Sequence, residues 1–145
     1  MSKNKKQKLQ RNAYLDELGI PIKYYGVNYL KDDSYRKKLR KKYGFDDRET
    51  FNLYRTFAEW LHSHCKMYLE VAPVDLDYHT FQWKNKELTQ KQALKKIIKW
   101  TGTFLKGTYE SEHVKFISFE EENKLFTKLE KATQLFSIIL GAMWW

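Results

Sequence analysis

Residues Phe45 to Pro73, FDDRETFNLYRTFAEWLHSHCKMYLEVAP, combine a helix start, a helix stop and a strong apolar period between them, and no other stretch restricts the fold as much. Asp46 followed three places later by Glu49 reads as an N-cap with its reciprocal partner. Asp47 and Glu49 suit the positive end of the helix dipole, and Pro73 forbids continuation. The pattern predicts a long central helix over about 46–72, a rod of roughly 39 Å at 1.5 Å per residue. Phe51, Tyr54, Phe57, Ala58, Leu61, Cys65, Tyr68, Leu69 and Ala72 recur at steps of three and four and make one apolar face. Arg55, Glu59, His62, Lys66 and Glu70 lie opposite.

Around this helix the chain divides at its glycines and prolines. Residues 3–18 are rich in helix formers and predict a basic helical extension over about 1–18, closed by Gly19 ahead of Pro21. Residues 20–31 read as irregular, with Tyr24, Tyr25 and Tyr29 packed over a neighbouring helix, and a short basic helix follows from Ser34 to Tyr43, ended by Gly44. Past Pro73, Val74, Leu76 and Tyr78 alternate with Asp75, Asp77 and His79, a period of two that suits one short strand or extended arm near 74–83. Thr89 with Gln92 forms a second capping box and opens a helix that Gly107 closes. A polar loop at 108–115 then leads to a third box, Ser118 with Glu121, and a final helix to the end of the chain. The expected architecture is an all-α, single-domain helical bundle over 1–145.

A chain of 145 residues suits one domain with a self-sufficient core. Its single cysteine, Cys65, cannot form an internal disulfide, so a reducing cytosol suits the fold. No apolar core follows the Lys-rich start, which argues against a secretory signal. The most apolar run, Leu135 to Trp145, is half of what a bilayer span needs, so no membrane association is expected. The net charge of +9 is concentrated at one end: residues 1–48 hold 14 Lys and Arg against 6 Asp and Glu. Such a surface attracts nucleic acid or an acidic protein face.

Phe45, Asp47, Arg48 and Glu49, then Asn52-Leu53, Thr56-Phe57-Ala58, Trp60-Leu61 and Lys66-Met67-Tyr68 with Glu70, together resemble a group of short bacteriophage and prophage proteins of no assigned activity. The likeness continues through Leu94 to Trp100 and from Leu125-Phe126 to the terminal pair Trp144-Trp145, and covers residues 44–145. It implies a phage accessory protein working in the bacterial host cytoplasm, and it brings no catalytic residues and no cofactor.

Three constellations bear on function. Glu59 with His62 and Glu110 with His113 are both Glu-x-x-His, the spacing of di-iron bundles, which would need further carboxylates such as Glu70, Glu122 or Glu130. Asp75, Asp77 and His79 share one side of an extended segment and with His62 or Cys65 would make a hydrolytic or zinc site; solvated polar faces are the simpler account of both groups. The basic clusters say more: Lys3, Lys5, Lys6, Lys8 and Arg11 form one, and Arg36, Lys37, Lys38, Arg40, Lys41 and Lys42 form another between Tyr35 and Tyr43. Cations that track a phosphate backbone, with tyrosines to stack on unpaired bases, fit a non-enzymatic binding protein acting on nucleic acid or a host nucleoprotein complex. An inhibitor of a CRISPR-type defence nuclease would have this character. The alternative is a homo-oligomeric assembly protein joined through Trp144 and Trp145, and a metal-dependent enzyme is third.

Overall fold

The computed structural model describes residues 11–25, 34–50 and 52–143. These form helices α1 (Ala13–Asp16), α2 (Ser34–Tyr43) and α3 (Leu53–Val71), strands β1 (Thr80–Trp83) and β2 (Lys86–Thr89), and helices α4 (Gln90–His113) and α5 (Phe119–Ile139). Single 3-10 turns lie at Ile22–Tyr24, Asp47–Glu49 and Leu140–Ala142.

The longest helix, α4, packs against both α3 and α5. Its start is the expected one: Thr89 Oγ1 accepts from the Gln92 amide at 3.1 Å, and the Gln92 side chain accepts from the Thr89 amide at 3.0 Å. Ala93, Leu94, Ile97, Thr101, Phe104, Leu105 and Thr108 are buried along it. A Leu, Ile or Phe buried to this degree stabilises the fold by about 1.5–3 kcal/mol. One core cluster gathers Leu61, Leu94, Ile97, Leu135 and Ile139 at the hairpin end of the bundle. A second joins Leu15 and Ile20 to Ala58, Phe104 and Leu129.

The helix expected over 46–72 is shorter. The Asp46 box forms with both of its hydrogen bonds, but it caps the 3-10 turn Asp47–Glu49; Asn52 is left-handed (φ 49°, ψ 53°), and α3 starts at Leu53. Asparagine tolerates that conformation, so the chain turns there and the helix restarts. The face of α3 expected to meet water is partly covered as well. Arg55 and His62 are buried, and α1 packs alongside, with Asn12 Nδ2 donating to Ser63 Oγ at 2.9 Å and Lys66 2.6 Å from Glu17.

Of the N-terminal extension, the described part starts at Arg11. Asn12 has extended backbone and its side chain accepts from the amides of Tyr14 and Leu15, so α1 begins at Ala13. Lys3, Lys5, Lys6 and Lys8 lie outside the described residues. The helix from Ser34 to Tyr43 and its stop at Gly44 (φ 85°) are as expected. Tyr24 does pack on a helix, its ring stacked 3.9 Å from that of His113 on α4.

The chain is mostly helical with a small sheet. Residues 74–79 form a turn, where Asp75 Oδ1 accepts from the Asp77 amide, and β1 starts beyond it. β1 pairs antiparallel with β2 in the register Phe81 to Leu88 and Trp83 to Lys86. That register sets Phe81 and Leu88 side by side against the hairpin-end cluster. β2 escapes the pattern because Thr89 is both its last residue and the cap of α4.

Gly107 does not end α4, which runs six residues further to His113. A Cβ at position 107 would lie 2.5 Å from Leu125 Cδ2 and 2.8 Å from its Cδ1, so the glycine lets α5 approach. Glycine inside a helix costs about 1 kcal/mol relative to alanine. Here the closer packing offsets it. We expect Gly107→Ala to lower stability in urea denaturation by about 1 kcal/mol, the clash outweighing the better propensity. In a Leu125→Ala background the same change should stabilise; a stabilising effect in both backgrounds would show that the close approach is not the reason for the glycine.

Candidate nucleic-acid interface

α2 holds six cations in ten residues, and the structure divides them. Arg36 Nε lies 3.2 Å from Asp47 Oδ1, Arg40 Nε lies 2.9 Å from Asp46 Oδ2, and Arg40 Nη2 lies 3.6 Å from Glu49. Both arginines thus face the acidic turn before α3. Lys37, Lys38, Lys41 and Lys42 are exposed. The arginines attach the helix, and the lysines form its outer surface.

Asp46 is the floor of the attachment. Its carboxylate is 1% exposed, accepts from the Arg48 amide, and takes hydrogen bonds from the guanidinium groups of Arg48 and Arg40. The hydrogen bond from the Arg48 side chain, opposed by burial, holds its pKa down at about 2. It therefore stays charged and keeps its partners in place.

Aromatic surface accompanies the lysines. Tyr35, Tyr43 and Phe45 are 58%, 55% and 48% exposed, and Lys42 Nζ lies 5.1 Å from the centre of the Tyr43 ring. Cations on a fixed helix beside open rings can meet phosphate oxygens and stack on bases. Phe45 is a part of this surface that the charge pattern did not single out. Of the other expected members, Arg11 is exposed and pairs with Asp16 at 3.6 Å, while Trp144 and Trp145 lie outside the described residues.

The Glu-x-x-His pairs have other neighbours. Glu110 lies 3.6 Å from Lys115 Nζ and His113 stacks on Tyr24, while His62 is buried against α4. The segment around Glu110 is helical, as the metal reading required and the loop assignment did not. Even so, among the described residues no group of three or more His, Cys, Asp or Glu is placed to hold a metal ion. Burial pushes the Cys65 thiol up to about 12, far from nucleophilic at neutral pH.

Sequence reasoning missed a cleft of about 590 Å³ over α4, walled by Leu18 and Leu125 and bordered by Lys66, Lys99 and Lys106. Lys66 is paired with Glu17, and Lys106 lies 3.9 Å from Glu110. Its positive charge is therefore largely balanced within the chain, unlike that of α2. Among the described residues no helix is long and apolar enough to cross a membrane. No family model, curated protein or solved structure matches the chain.

His62 lines the cleft and gives it a pH response. The Thr101 hydroxyl donates to Ile97 O at 2.8 Å, so His62 Nδ1 donates to Thr101 Oγ1 at 2.9 Å, and Nε2 is left buried without a hydrogen-bond partner. Burial, assisted by the Lys66 charge, lowers its pKa to about 4. The unfolded chain protonates this group at the ordinary value of 6.5 and the folded chain only near 4, so the unfolded state holds more protons between them. Stability should therefore fall as pH drops through that window, by about 3 kcal/mol in all. Urea denaturation across the window should show this slope in the wild type and its loss in His62→Gln; equal slopes would exclude His62 as the source.

Proposed function

We propose that the protein is a non-enzymatic binding protein that engages nucleic acid, alone or within a nucleoprotein complex, through the outer face of α2. One observation carries this reading: the arginines of α2 are spent on its own acidic turn, while four lysines, Tyr35 and Tyr43 face solvent. A surface that served solubility alone would not need its helix anchored by a buried carboxylate, nor open aromatic rings at both ends of its charges.

The interaction is with phosphate and with base faces, so it is indifferent to sequence. The resemblance of residues 44–145 to short phage proteins extends the proposal to a phage-encoded factor in the bacterial cytoplasm. Its host target would be a nucleoprotein machine, with a CRISPR-type defence nuclease as the instance that suits it. A protein of this kind would occupy a groove built for a nucleic-acid strand or clamp the strand near it.

The test is fluorescence anisotropy with a labelled single-stranded oligonucleotide over a range of salt. Four phosphate contacts predict a slope of log affinity against log salt of about −3. Lys37→Glu, Lys38→Glu, Lys41→Glu and Lys42→Glu together should abolish binding with helicity by circular dichroism unchanged. Retained binding would overturn the assignment.

A further inference from the structure

The connection between α4 and α5 carries the most exposed aromatic side chain of the described residues, with a second beside it. Phe116 is 93% exposed and Phe119 76%, with Val114 at 65% between them and the bundle. This display does not come from a slack loop. The amides of Val114 and Lys115 both donate to Glu110 O at 2.9 and 2.8 Å, and Ser118 caps α5 by accepting from the Glu121 amide. Four residues join His113 to Ser118 and both ends are tied, so the rings are held out in water.

The same segment is strongly acidic within a basic chain. Residues 110–122 hold Glu110, Glu112, Glu120, Glu121 and Glu122 against Lys115, and Glu120 to Glu122 are exposed in the first turn of α5. An apolar tip of this exposure marks a contact site, and its acidic rim selects a basic partner. This chain contains such a surface: four exposed lysines on α2 with Tyr35, Tyr43 and Phe45 beside them.

Both surfaces stand at one end of the bundle. Arg55 in the first turn of α3 lies 2.7 Å from Glu112 in the last turn of α4, and α2 is tied to the turn just before α3. Two complementary patches at the same end allow a two-fold axis to place α2 of each copy on the tip of the other. The contact then occurs twice and closes.

We propose that two copies associate end to end, each seating Phe116 and Phe119, rimmed by Glu120, Glu121 and Glu122, on the lysine and tyrosine face of the other copy's α2. Aromatic anchors inside a charged rim give affinity from the rings and salt-sensitive registration from the charges. The association does not depend on nucleic acid being the ligand of α2. If it is, the strand and the second copy compete for the same lysines, and the dimer is the resting form.

Sedimentation velocity of nuclease-treated protein at low salt tests this. The wild type should sediment at twice the 17.6 kDa chain mass and revert to monomer in high salt. Phe116→Ser with Phe119→Ser should be monomeric and keep its helicity and any oligonucleotide binding, which separates this proposal from the previous one. Glu120→Lys, Glu121→Lys and Glu122→Lys together, and the four-lysine reversal of α2, should each be monomeric alone and dimerise when mixed, because one contact of the mixed pair is then the native one and the other is restored with its signs exchanged. A monomeric wild type, a dimer unaffected by Phe116→Ser with Phe119→Ser, or a mixture that stays monomeric would overturn it.

Discussion

The side chain of Asp46 joins α2 to the helical bundle. It caps the turn ahead of α3, and it is buried beneath the guanidinium groups of Arg48 and Arg40, the second of which belongs to α2. Breaking such a pair by deleting one partner costs about 3–5 kcal/mol, since the remaining charge is left without compensation. The burial of one carboxylate thus sets where α2 sits, and with it the direction in which its lysines point.

Beneath that joint the bundle depends on α4. It lies between α3 and α5, and it approaches each by a different means. Toward α5 it presents Gly107, whose missing side chain leaves room for Leu125. Toward α3 it presents Thr101 and the Ile98 carbonyl to His62, a polar contact inside an otherwise apolar seam. The first sets spacing and the second sets register, because a hydrogen bond tolerates less sliding than a methyl contact.

Much of this was legible in the residues, and the errors have local causes. The three-and-four period found the inward face of α3, and the caps at Thr89 and Ser118 gave true helix starts. The cap at Asp46 formed as expected, yet pattern alone could not say that Asn52 would turn left-handed six residues on. Gly107 read as a stop because a glycine needed for packing and one needed for a helix end look alike in sequence. The second strand was hidden because Thr89 serves two elements. The basic cluster on α2 was readable as charge; its division into attaching arginines and exposed lysines was not, since it depends on which acids fold beneath it.

That division bears on how such a protein can change over generations. Substitutions at Lys37, Lys38, Lys41 and Lys42 touch no core side chain and no described ion pair of the attachment, so they alter what α2 meets with little effect on the fold. Substitutions at Arg40, Arg48 or Asp46 disturb the joint itself. The lysine face can therefore vary one residue at a time while the scaffold that holds it tolerates little change.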